Sequence, residues 1–181
     1  MNDRGIWTTP EEVATHEFDL QLCDAIFELW SGVASVADVG CGKGDYVKTL
    51  LSKGLRCQGW DGNPMTPEIS GGICRVMDFS KPANIGLHDL VMSLEVGEHI
   101  PKKFESQFIT NLTEASVRWI ILSWAIPGQG GVGHFNEQSN MYIINEMENR
   151  GFKIQPSLSL TLRQRSTLPW FKNTLMVFRY E

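Results

Sequence analysis

Long hydrophobic runs are missing from this chain. None of its 181 residues falls in a stretch near the roughly 20 apolar positions of a membrane span, and the best run, 119–126, is broken by Ser123. An excess of positive charge is missing too. Sixteen Lys and Arg stand against 21 Asp and Glu, a net charge of −5, which argues against a protein that sequesters nucleic acid. It leaves room for an enzyme that visits a nucleic acid briefly. Cysteine pairs are absent: Cys23, Cys41, Cys57 and Cys74 stand apart with no C-x-x-C, so buried, reduced thiols are expected. Met1-Asn2-Asp3-Arg4 is not a basic region followed by an apolar core, so no secretory signal is read and the expected compartment is the cytoplasm. No internal repeat or low-complexity tract occurs. What remains, 42% hydrophobic and 20% charged residues, is the balance of one globular domain and excludes a disordered polyelectrolyte.

Strand and helix signals alternate along that domain. Thr9-Pro10-Glu11-Glu12 reads as a helix opening, with a capping Thr, Pro at the first position and acids in the first turn. Phe18, Leu22, Ala25 and Leu29 follow at helical spacing and are expected to face the core. The apolar run 33–39 reads as a buried first strand, and helix 46–53 is closed by Gly54. Further strands are expected at 55–60, 73–77, 88–94 and 118–124, a short helix or loop at 64–70, and helices from Pro101 and over 137–150. Two last strands, 152–162 and 173–180, have no helix-length segment between them and are expected to pair as an antiparallel hairpin. The fold class is therefore α/β: a doubly wound, mostly parallel seven-stranded sheet with helices on both faces and a C-terminal antiparallel hairpin.

The first strand runs into Asp38-Val39-Gly40-Cys41-Gly42-Lys43-Gly44. Glycines there let the backbone turn tightly and let a ligand approach it beside a helix N-terminus. This Asp-x-Gly-x-Gly-x-Gly pattern resembles the class I S-adenosylmethionine-dependent methyltransferases, and the likeness runs from about residue 30 to 180. It differs from the dinucleotide-binding G-x-G-x-x-G, because Gly44 falls one place early, and no phosphate loop occurs. The resemblance implies that Asp38, Gly40, Cys41, Gly42 and Gly44 wrap the amino-acid part of S-adenosyl-L-methionine, with S-adenosyl-L-homocysteine as product. It places Asp61, with Gly62 and Asn63, on the ribose hydroxyls, where a carboxylate accepts two charge-assisted hydrogen bonds. It puts Asp78 and Phe79 at the adenine, although Asp78 equally suits a cap of the Ser80-Lys81-Pro82 turn. Leu94 and Glu95 would line the floor beside the methyl group. Residues 1–32 would form a helical cap and 33–181 the cofactor-binding core of a single domain.

Methyl transfer asks the protein for in-line alignment and for a base when the acceptor is neutral. His134, beyond the glycine-rich 128–133 loop, is the first choice of base, with His99 and Glu95 as further candidates; each histidine also suits a structural or capping role. The loop itself reads as mobile. Asn136 reads as a helix N-cap. His16, Trp124, Gln129, Arg163 and Trp170 are the candidate substrate contacts, the last two in a tip whose cations and aromatics suit an acidic or aromatic acceptor. Glu95 and His99 are spaced i,i+4, but Gly97 and Pro101 oppose a helix there, so no metal site is expected. The expected partner is a small-molecule or glycan acceptor bearing a hydroxyl or amine, with no stable nucleic-acid binding, no membrane and no assigned oligomeric state. A nucleic-acid or protein methyltransferase and a non-catalytic cofactor-binding module are the alternatives.

Overall fold

The computed structural model describes residues 1–9, 11 and 16–181. Pro10 and Glu12 of the expected helix opening lie outside the described residues. Seven strands form one sheet: β1 Val36–Val39, β2 Cys57–Asp61, β3 Cys74–Val76, β4 His88–Ser93, β5 Ser116–Leu122, β6 Phe152–Ile154 and β7 Met176–Tyr180. Their order is β3-β2-β1-β4-β5-β7-β6. The pairings among β1 to β5 are parallel, with Val36 opposite both Cys57 and Leu90. β7 runs antiparallel to β5 and to β6, so the reversed strand at the C-terminal end stands as expected. Among the described residues the α-helices are α1 Leu20–Trp30, α2 Asp45–Ser52, α3 Thr66–Ser70, α4 Lys102–Ala115, α5 Asn140–Glu148, α6 Pro156–Arg165 and α7 Phe171–Thr174. None among the described residues is long and apolar enough to cross a membrane.

Alternation along the strands divides the core between two faces. Val36, Leu90, Met92 and Ile121 pack with Leu22, Ile26, Val47, Leu50 and Leu162 from α1, α2 and α6. Ala37, Val91, Ile120 and Leu122 pack with Phe108, Leu112, Ile143 and Met147 from α4 and α5. Helices therefore cover both faces. The four cysteines are free and buried, as their spacing suggested.

Three local readings are corrected. First, 152–162 is no continuous strand. β6 ends at Ile154, and Pro156 opens helix α6 at a position where its missing N–H costs nothing. The hairpin strands are thus joined through two helices. Second, α1 buries Leu22, Cys23, Ala25, Ile26 and Trp30, while Leu29 is exposed. The Trp30 ring takes the place expected of Leu29, edge-on to Trp119 at 5.9 Å. Third, α5 is capped by Ser139, which accepts from the Tyr142 amide, and not by Asn136. Asn136 is buried and donates to Glu105 at 2.8 Å.

Asp19 fastens α1 to the far end of the chain. Its carboxylate caps the helix by accepting from Leu22 N and also takes Ser166 Oγ, Thr167 N and Leu168 N at 2.6–3.0 Å. Burial acts to raise its pKa, but the bonds from Ser166, Leu168, Leu22 and Thr167 together bring it below the usual carboxylate value. Asp19→Ala is expected to cost about 3 kcal/mol in urea unfolding, a cap plus buried amides left without a partner. A group whose pKa is lower folded than unfolded stabilises fully above its unfolded pKa. That contribution is lost as pH falls through the folded value, so Asp19→Asn should flatten the acid limb of the stability curve.

Candidate active site

The sheet order reverses between β1 and β4, whose neighbours run outward to β2 and β5, and ligands of open α/β sheets bind in the crevice at the carboxyl ends of such strands. A cavity of about 430 Å³ lies there. This volume is within the range of small-ligand sites.

One end of the cavity is the glycine turn after β1. Gly40, Gly42 and Gly44 all have positive φ, at 80°, 52° and 75°. Gly40 is irreplaceable for a second reason: a Cβ there would collide with the Val96 side chain. Gly40 and Cys41 donate to Trp60 O, Gly44 donates to Cys41 O, and Gly44 then caps α2 in the left-handed conformation. Gly44 therefore shapes the turn from behind and does not line the cavity. Buried Cys41 gives its thiol hydrogen to Cys74, which with burial pushes its pKa up.

Two carboxylates flank the turn. Asp61 accepts from Gly42 N and Asn63 N, both at 2.9 Å, which fixes its plane at the end of β2 while its edge faces the cavity beside Gly62. Asp38 is buried, and its Oδ2 has no hydrogen-bond partner among the described residues. Burial first, then the charges of Cys74 and Asp61, push its carboxyl well above the usual range. A cation brought to that oxygen would favour the ionised form of the carboxyl.

Phe79 and Met77 line the same end. Asp78 does not: it is held by Arg4 at 2.6 Å and accepts from Ser80 N and Oγ, so of its two expected roles the structure shows the turn cap. Asn63 is buried behind the turn, donating to Thr9 O and accepting from Met65 N, and also stays off the cavity wall.

The other end is built by the residues after β4. Leu94 lines the wall, and Glu95 sits at φ 53°, the one positive-φ position outside glycine among the described residues. Such strain costs of order 1–3 kcal/mol and persists where surroundings fix it. Here Ser123 Oγ accepts the Glu95 amide, and its carboxylate receives Gln129 Nε2 at 2.7 Å and Thr174 Oγ1 at 3.1 Å. The chain then makes a 3-10 turn, Gly97–His99. Gly97 is needed because the Trp124 ring lies where its Cβ would be. Trp124 donates to Asn136 O, is wholly buried beneath this turn and does not line the cavity.

His99 and His134 stand at this end with ring centroids 5.0 Å apart. His99 Nδ1 meets Gly133 O at 3.0 Å, and burial, chiefly, lowers its pKa to about 4. His134 Nδ1 meets Glu137 Oε1 at 3.2 Å. Glu137 also accepts from Gly128 N and Gly130 N, at 2.7 and 2.8 Å, so the glycine-rich loop expected to be mobile is wrapped around a carboxylate. Sequence reasoning missed Glu137; its only mark was an acid three places after His134.

The N-terminal segment closes the opening. Ile6 packs on Gly62, and the Trp7 ring lies edge-on to His16 at 5.7 Å and to His99 at 5.3 Å. His16, Gln129 and Trp170 line the cavity. Arg163 does not: its Nε donates to Leu175 O, and it borders a separate shallow depression with Lys172. Arg165 pairs with Glu28. The basic tip expected to clamp an acidic acceptor is therefore turned away from the cavity: Arg163 and Lys172 border the separate depression, and Arg165 is held by Glu28.

No protein-family model matches the chain. It is 33% identical over 106 residues to the probable chloroplastic tocopherol O-methyltransferase of Oryza sativa subsp. japonica, a match covering 50% of this chain and 29% of that protein. It is 30% identical over 108 residues to the chloroplastic tocopherol O-methyltransferase of Arabidopsis thaliana, covering 51% and 30%. The match thus spans under a third of the length of these curated relatives. Among solved structures, magnesium protoporphyrin IX methyltransferase from Synechocystis PCC 6803 with bound S-adenosylhomocysteine superposes at TM-score 0.67 and 18% identity, over 95% of this chain and 83% of that one. A TehB-like S-adenosylmethionine-dependent methyltransferase from Corynebacterium glutamicum gives 0.68 and 17%, over 94% and 92%. An amino pentose methyltransferase from Micromonospora echinaspora gives 0.65 and 12%, over 94% and 91%.

Proposed function

We propose that this chain, which has the Rossmann-like methyltransferase fold, binds S-adenosylmethionine in the cavity and methylates a small molecule, at a hydroxyl in preference to an amine. One observation carries the reading. A single cavity joins the Asp38–Gly42–Asp61 end to a Glu95–His99–His134 end.

The groups present fit the cofactor. Gly40 and Gly42 bring backbone without side chains to the cavity wall. Asp38 Oδ2, buried without a partner among the described residues, suits an ammonium group. Asp61 offers carboxylate lone pairs to a vicinal diol, and Phe79 an apolar surface to an aromatic base. S-adenosylmethionine, when bound, supplies a methyl group activated by its sulfonium. This chain's residues do the rest. Trp7 and Trp170 narrow the opening and exclude water. Glu95, His99 and His134 are the groups able to take the acceptor's proton. His134 is the leading base, because it lines the cavity and its ring is oriented by Glu137 Oε1 at Nδ1. The N-terminal 1–32 segment acts as the cap, since Ile6, Trp7 and His16 form its side of the wall.

The O-methyltransferase names of the two plant relatives, and the short loops around the cavity, support a small hydroxyl acceptor. Incubation with methyl-labelled S-adenosylmethionine and a panel of phenols, sugars, amines, peptides and oligonucleotides tests this. Label entering phenols or sugars is the expected result. Label confined to peptides or oligonucleotides would contradict it.

A further inference from the structure

The structure assigns a divalent-cation site to Glu98, His99 and His134 at the acceptor end of the cavity. Carboxylate and imidazole atoms of these three residues all lie within 4.8 Å of one another. One carboxylate and two imidazoles are the donor set of borderline divalent ions such as zinc, cobalt, manganese or iron, and three protein ligands leave positions open for an oxygen of a second molecule.

Two independent observations point to a ligand there. The first is Glu98. Its side chain is fully buried, and neither carboxylate oxygen has a hydrogen-bond partner of good geometry among the described residues. The carboxylate of Glu95 stands close beside it, and no cationic side chain among the described residues pairs with Glu98. A buried carboxylate with no cation beside it costs several kcal/mol unless neutralised, and here a second acid aggravates that cost.

The second is the state of the two rings. His99 Nδ1 is engaged by the Gly133 carbonyl and His134 Nδ1 by the Glu137 carboxylate. Metal-binding histidines almost always donate their other N–H to a carbonyl or carboxylate, which fixes the tautomer and presents the remaining lone pair. Both rings are held this way, with Nε2 left to coordinate. Backbone bonds tie the cluster together as well, since Glu98 O accepts from Phe135 N and Asn136 N, the two residues that follow His134.

The sequence spacing concealed the group. Glu98 and His99 are adjacent, but adjacency on a helix would turn them apart; the 3-10 turn and the folded-back 133–136 segment bring them to His134. With the cation bound, His134 would serve as a ligand and no longer as the base; the cation would draw an oxygen-bearing acceptor to this end of the cavity, and Glu95, held by Gln129 and Thr174, would take its proton. That role rests on the methyl-transfer reading. The binding of the cation does not.

The test uses the full chain stripped with a chelator and titrated with cobalt(II), followed by calorimetry and visible absorption, with S-adenosylhomocysteine titrated separately. One cobalt ion per chain is expected, with d–d absorption of a site containing nitrogen ligands. Glu98→Gln and His134→Ala should each weaken binding more than tenfold, and Glu137→Gln about tenfold. Glu98→Gln alters a buried position, so circular dichroism must show it folded; His134→Ala, at a partly exposed side chain, decides the matter if it does not. Absence of binding to the wild-type chain, or binding unchanged in His134→Ala, overturns the site. Cobalt binding without homocysteine-adduct binding would support the site and refute the cofactor reading, and the reverse pattern would do the opposite.

Discussion

Asp61→Ala is expected to lower affinity for S-adenosylhomocysteine by at least about 100-fold, measured by calorimetry. The magnitude follows from two charge-assisted hydrogen bonds of about 1.5–3 kcal/mol each, lost at a carboxylate that the protein has already oriented. That orientation is visible in the bonds from Gly42 N and Asn63 N. The first of these has a further consequence. Because Asp61 also holds the Gly42 amide, its removal loosens the glycine turn, so the loss exceeds that from the ribose contacts alone. Asp61→Asn keeps one acceptor oxygen and should recover part of the affinity. Equal loss in both variants would mean that charge, not bond count, governs the contact.

The second large effect is at the opposite end. His134→Ala should reduce turnover about 100-fold, the usual size of a general-base contribution, while the affinity for S-adenosylhomocysteine changes by less than about threefold. The separation is expected because the Asp38–Asp61 end and His134 belong to different strand termini and share no hydrogen bond among those described. Glu137→Gln should fall in the same direction by a smaller factor, since it retains an oxygen facing His134 but loosens the loop. Unchanged turnover in His134→Ala would leave His134 as a pin for the glycine loop.

The Asp38–Asp61 end of the cavity could be read from the sequence, whereas much of the His99–His134 end could not. Glycines at three alternate positions leave a trace because only that residue tolerates their backbone angles, and Asp61 ends the next strand in register with the turn. Helix α6 left a misleading trace. Leu158, Leu160 and Leu162 alternate with Ser157, Ser159 and Thr161, a period of two that imitates a strand, and Pro156 was the single contrary signal. The grouping of Glu98, His99 and His134 left none, because it depends on a loop folding back around Glu137. Asp78 was ambiguous for a physical reason: an acid before Ser-Lys-Pro serves a turn as readily as a ligand, and Arg4, far away in sequence, decided it. Long-range partners, invisible to local pattern, account for most of these differences.

The claim on which the rest depends is that the crevice between β1 and β4 binds S-adenosylmethionine. Calorimetric titration of the wild-type chain with S-adenosylhomocysteine, with NADH as the comparison, tests it most directly. The account predicts one site per chain with a micromolar Kd for the homocysteine adduct and no heat from NADH. A single NADH site, with no binding of S-adenosylhomocysteine, would contradict it.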